Sequence, residues 1–147
     1  MNAIVRLFII AALTAPCTFT GCAPSTMKPV DIHHEDACSN CRMAVSDKAF
    51  ASEIILQNGE ALKFDDLVCL EDYRKKEPAA KIAAIFVSDY ETKEWLAFEK
   101  SIIVETGIAT PMGSGKIAVN DETRAKAMRE KYPSTNSLTD AGCCSTR

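Results

Sequence analysis

Apolar and polar positions alternate along this chain in short runs, each closed by turn residues. Residues 50–57 (FASEIILQ) read as a strand rich in β-formers. Asn58-Gly59 follows, a pair that tolerates positive φ at both positions and so predicts a tight hairpin. Residues 60–64 return as its second strand. Asp65-Asp66 then offers side-chain oxygens to the free N–H groups of a starting helix. That helix is predicted over 67–77 and stops before Pro78. Leu67, Leu70 and Tyr73 give it one apolar face, and Cys69 falls on its inward side. Residues 83–88 (AAIFVS) read as a buried strand, so the order is ββαβ.

The second half repeats the order loosely. Residues 101–105 (SIIVE) and 116–119 (KIAV) read as strands around a turn-rich loop at 107–115. Asn120-Asp121 caps a helix over 122–131, which stops before Pro133, and 137–139 is expected as a last short strand. Residues 89–100 join the halves and carry the only tryptophan, Trp95, expected as core between them. The fold class predicted is α+β, with two related ββαβ units in one small compact domain.

The first residues follow another pattern. Arg6 supplies a positive charge, residues 7–15 are apolar, and Gly21-Cys22 follows. This is the layout of a signal peptide over 1–21. The apolar run is too short for a stable transmembrane helix. Gly-Cys after such a run resembles a bacterial lipobox, which makes Cys22 the lipidated first residue of the mature chain. Residues 22–36, with prolines and His33-His34 but no apolar period, are expected as lipid anchor and flexible tether. The first unit then occupies 37–90, the second 91–139, and a loose tail 140–147.

Charge narrows the function. The chain has 17 basic and 20 acidic residues, and removing the leader takes away only Arg6. An acidic balance without a basic patch argues against nucleic acid as partner. Of seven cysteines, one leaves with the leader and one carries lipid, so five remain. An odd count is no closed disulfide framework.

Cys38-Ser39-Asn40-Cys41-Arg42-Met43 concentrates the chemistry. Two thiols three residues apart converge on one ion in a tight turn, and a thioether two residues on adds a third soft donor. Thiolate with thioether selects Cu(I) by softness, whereas structural zinc takes four Cys or His ligands. Two other readings use the same residues: a Cys38–Cys41 disulfide in an oxidising compartment, and a redox pair. Glu35 and Asp36 precede the motif and disfavour the thiolate that a redox pair needs. A second sulfur lies in Thr110-Pro111-Met112-Gly113-Ser114-Gly115. Methionine is usually core filler, but Met112 stands between Pro111 and Gly113 in a turn.

At these residues the chain resembles the NosL family of copper-binding lipoproteins, which assist nitrous-oxide reductase maturation. The resemblance runs through Cys38-x-x-Cys41-x-Met43, Ser46-Asp47, Asn58-Gly59, Phe64-Asp65-Asp66, Cys69, Val87-Ser88-Asp89-Tyr90, Glu94-Trp95 and Thr110-Pro111-Met112-Gly113. It implies two ββαβ units, one Cu(I) site and delivery of copper to assembly machinery that includes a membrane ABC transporter complex, or to an apo-enzyme. Carried over by motif, Cys41, Met43 and Met112 are the implied ligands, with Cys38 next. Asp65 and Asp66 match as well but read as helix cap and packing. Arg42 stands where the family commonly has Gly.

The reading is therefore a non-enzymatic Cu(I) chaperone with Cys38, Cys41, Met43 and Met112 at the metal and Cys22 on the lipid. It would sit in the cell envelope, on the outer membrane by the absence of a retention signal at Ala23. The alternative is a thiol–disulfide oxidoreductase that uses Cys38 and Cys41.

Overall fold

A computed structural model describes residues 27–134 of the chain. The leader, Cys22, the strand expected at 137–139 and the tail with Cys143 and Cys144 lie outside those residues.

The first unit is a four-stranded antiparallel sheet with one helix. Its strands are β1 (Ser52–Leu56), β2 (Ala61–Phe64), β3 (Ile82–Ser88) and β4 (Trp95–Ala97), in the order β2-β1-β3-β4. The hairpin between β1 and β2 turns at Asn58-Gly59, where Gly59 adopts φ +87° and its amide donates to the Leu56 carbonyl at 2.9 Å. Helix α1 (Leu67–Lys76) starts at Asp66, whose carboxylate accepts the Val68 amide, and Arg74, Lys75 and Lys76 complement the dipole of its last turn. Ile54, Phe64, Cys69 and Leu70 form a core between sheet and helix, with the Tyr73 ring 5.4 Å from that of Phe64. Full burial of Phe64, Ile54 and Leu70 contributes about 2 kcal/mol each.

The second unit, as far as it is described, is a hairpin of β5 (Ile102–Glu105) and β6 (Lys116–Val119) followed by helix α2 (Glu122–Lys131). Asp121 caps α2 by accepting the Arg124 amide. Val104, Ile117, Val119, Ala125 and Met128 make its core. The domain is thus α+β, with two sheets and two helices.

The units are joined by backbone and side chain. Asp89 bridges to Ala118 in parallel, and the Tyr90 amide donates to the Ala118 carbonyl at 2.9 Å. The buried Asp89 carboxylate receives both terminal nitrogens of Arg124 at 2.7 and 2.8 Å. Burial alone would raise the Asp89 pKa, but Arg124 and the Thr92 and Glu91 amides outweigh it and hold the group below the usual range. Leu67, Val87 and Ala118 form the apolar contact between the units.

Two expectations are corrected. Trp95 does not lie between the units. It starts an edge strand paired with β3 and packs on the first unit's core, while its neighbour Leu96 joins the contact between units. Nor are residues 30–36 a free tether. The Val30 amide donates to both oxygens of buried Glu53, at 3.0 and 3.2 Å, and Lys63 donates to the Asp31 carbonyl and to the Asp36 carboxylate. Ile32 packs on the first core. The physical reason is Glu53: a carboxylate buried in a central strand needs donors, and this segment brings one. Among the described residues no helix is long and apolar enough to cross a membrane.

Candidate metal centre

Residues 37–44 form a closed loop on the edge of the first sheet. A bridge between Ala37 and Ala44 shuts its base. Inside it the Cys38 amide donates to the Met43 carbonyl at 2.7 Å, and the Arg42 amide to the Cys38 carbonyl at 3.0 Å. The Ser39 amide donates to the Lys63 carbonyl at 2.8 Å, which ties the loop to β2. Arg42 adopts φ +68°, the left-handed region that glycine enters without strain. The tightness of this turn brings Cys38 and Cys41 to one side.

The loop's thiols meet groups from two other elements. Asp65 follows β2 directly, and Cys69 lies on the first turn of α1. One ligand atom each from Cys38, Cys41, Asp65 and Cys69 falls within 4.8 Å of all the others. Cys38 and Cys69 are buried, Cys41 is half-buried, and all three are free thiols. The Cys41 thiol donates toward both oxygens of Asp65, at 3.5 and 3.6 Å. Burial pushes the Cys38 thiol above its ordinary pKa, although the Cys41, Asp65 and Asn40 amides face it. Cys69 is pushed up too, chiefly by burial and also by Asp65 and Cys38, against the Asn40 side chain, which lowers it. A helix N-terminus lowers a thiol pKa; here burial wins.

The second loop is built around the next aspartate. Asp66 is fully buried, and its carboxylate takes four donors. One oxygen accepts the Val68 amide at 3.0 Å and the Ser114 hydroxyl at 2.6 Å. The other accepts the Thr110 hydroxyl at 2.6 Å and the Met112 amide at 2.9 Å. Burial alone would raise its pKa, yet Ser114, Thr110 and the two amides hold it below the usual range. Gly115 closes the turn at φ +66°, and a Cβ there would meet the Thr106 carbonyl oxygen at 2.3 Å. The loop is therefore fixed in shape. Adjacent residues, Asp65 and Asp66, attach the thiol cluster and the methionine turn to the same start of α1.

The sequence-predicted residues separate into two groups. Cys38 and Cys41 are in the cluster. Met43 and Met112 are exposed, at 47% and 41%, the first on the thiol loop and the second on the turn bound to Asp66. Cys69 and Asp65 belong to the cluster and were not among the predicted ligands. The helix period turned Cys69 inward and the family resemblance took in both residues, but no spacing set Cys69 opposite Cys38.

The fold and site define a small α+β domain with a thiol-rich cluster suited to a soft metal ion. The NosL family model matches residues 29–135, and the chain belongs to that family. Its fold is similar to the crystal structure of the copper chaperone NosL from Shewanella denitrificans. That likeness has a TM-score of 0.63 at 15% identity and covers 74% of this chain and 90% of that one. No curated protein sequence matches the chain.

Proposed function

We propose that this protein is a copper(I) chaperone, holding one ion among Cys38, Cys41 and Cys69 and passing it to an exported copper enzyme or its assembly machinery. The convergence of three free thiols within 4.8 Å carries the reading. Thiolates are soft donors and match Cu(I), whereas the Asp65 carboxylate is a hard one that serves better as acceptor beside the site. Loading exchanges thiol protons for the ion. Half-buried Cys41 is the open side of the cluster, and the exposed thioethers of Met43 and Met112 offer weak soft donors for hand-over by ligand exchange.

The client in this reading is nitrous-oxide reductase or a comparable exported copper enzyme, reached through an ABC transporter complex or directly as apo-enzyme. Lipid on Cys22 would hold the protein on a membrane facing the periplasm or exterior, the outer membrane where there is one. Family membership supports the metal and the role; Cys22 after the apolar run supports the anchor.

Anaerobic titration of the reduced protein with Cu(I) against a competing chelator tests this. The expected result is tight one-to-one binding, weakened at least about tenfold by Cys41→Ser or Cys69→Ser, the scale on which losses around a metal are felt. Cu(I) left wholly with the chelator would overturn the reading. For the anchor, a lipid mass on the mature N-terminus should vanish in Cys22→Ala.

A further inference from the structure

We propose that Asp66 is a positioning residue for copper transfer: its buried carboxylate holds the Met112 turn so that the Met112 thioether meets the ion of the neighbouring thiol cluster. The inference deepens the chaperone reading and rests on it. Helix capping explains only one of the four hydrogen bonds Asp66 accepts, that from Val68. The other three come from Thr110, Met112 and Ser114, all in one turn. The Thr110 and Ser114 hydroxyls also lie 3.2 Å from each other. A cap needs none of this. Three charge-assisted bonds from five consecutive residues serve to fix the turn that carries an exposed methionine.

The neighbouring residue gives the turn its target. Asp65 receives the Cys41 thiol, and Cys69 follows on the same helix start. The Met112 turn is thus fastened one residue from the cluster's carboxylate. Lys116, just beyond the turn, adds a second tie by donating to both oxygens of Glu71 on α1 at 2.7 Å. An exposed thioether on a rigid turn gives a partner an approach to the ion that the buried thiols do not.

The test keeps the helix cap intact. Thr110→Val with Ser114→Ala removes two turn donors and leaves Val68 on Asp66. Binding and transfer of Cu(I) to a chelator are compared with wild type, Met112→Leu and the triple variant. The methyl resonance of Met112 is followed during loading. The expected result is a transfer rate about tenfold lower in the clamp variant, in the range of outer-shell losses. Met112→Leu should be lowered as far, and the triple variant no further, because both act through one thioether. The Met112 methyl should shift on loading in wild type and stay in place in the clamp variant. Circular dichroism and melting confirm that the clamp variant folds. Should it unfold, Thr110→Ser with Ser114→Thr, which retain the hydroxyls, must behave as wild type. Wild-type transfer in a folded clamp variant, or losses that add to those of Met112→Leu, would overturn the assignment. A wild-type protein that binds no Cu(I) would instead remove the chaperone reading, and this inference with it.

Discussion

The Cys41 thiol faces both carboxylate oxygens of Asp65, at 3.5 and 3.6 Å. Under the three-sulfur account Asp65 is an acceptor. Asp65→Asn should therefore leave Cu(I) affinity within about tenfold, since oxygen is a poor donor to a soft ion. Competitive titration measures this, and loss of binding would make Asp65 a ligand.

The raised thiols of Cys38 and Cys69 set a pH dependence. In the unfolded chain both ionise near the ordinary value of about 8.5. In the folded apo protein they do so higher. Their contribution to stability is therefore complete below that value and is lost as pH rises through the folded pKa. Urea denaturation of the reduced apo protein should show stability falling above about pH 8.5. Cys69→Ala should flatten that fall.

Glu53 gives a second dependence through the same linkage. Burial raises its pKa, ahead of the Val30 amide and Lys63, which lower it, and of Asp36, which raises it. A group with a raised folded pKa stabilises below its unfolded value and weakens the fold as pH climbs through the folded one. Glu53→Gln keeps an acceptor for Val30 and removes the charge. Its stability relative to wild type should rise as pH climbs above about 4. A difference independent of pH would contradict the assignment.

Arg124 holds the two units together. Its guanidinium meets fully buried Asp89, and Glu91 at 2.7 Å. Arg124→Ala strands a buried carboxylate and should cost about 3 kcal/mol. Chemical denaturation checks the figure; a cost below about 1 kcal/mol would place the pair among surface bridges.

Arg42 strains the thiol loop in the left-handed region. Arg42→Gly should stabilise the apo protein by about 0.5 kcal/mol, the relief of the strain less the entropy glycine loses. A drop in melting temperature would show that the arginine side chain itself holds the loop.

Local features carried most of what was legible beforehand. The Asn58-Gly59 turn, the Asp66 and Asp121 caps and the stops before Pro78 and Pro133 act within a few residues, so the two hairpins and both helices could be read to within a residue or two. Cys38 and Cys41 were legible for the same reason. Cys69 was placed inward by the helix period, but its meeting with Cys38 depends on how α1 packs over the sheet, which no spacing records. Asp65 and Asp66 were both read as capping; only the packed fold turns one to the thiols and the other to Met112. The segment at 30–36 looked like a tether because its attachment lies in Glu53, a charged residue inside a strand whose burial the sequence does not announce. β4 has three residues, too few for a period to show.

X-ray absorption at the copper edge of the Cu(I)-loaded, reduced protein tests the central claim most directly. An all-sulfur shell that loses one sulfur in Cys69→Ser is the predicted result. A shell dominated by oxygen or nitrogen, or one unchanged by that substitution, would contradict it.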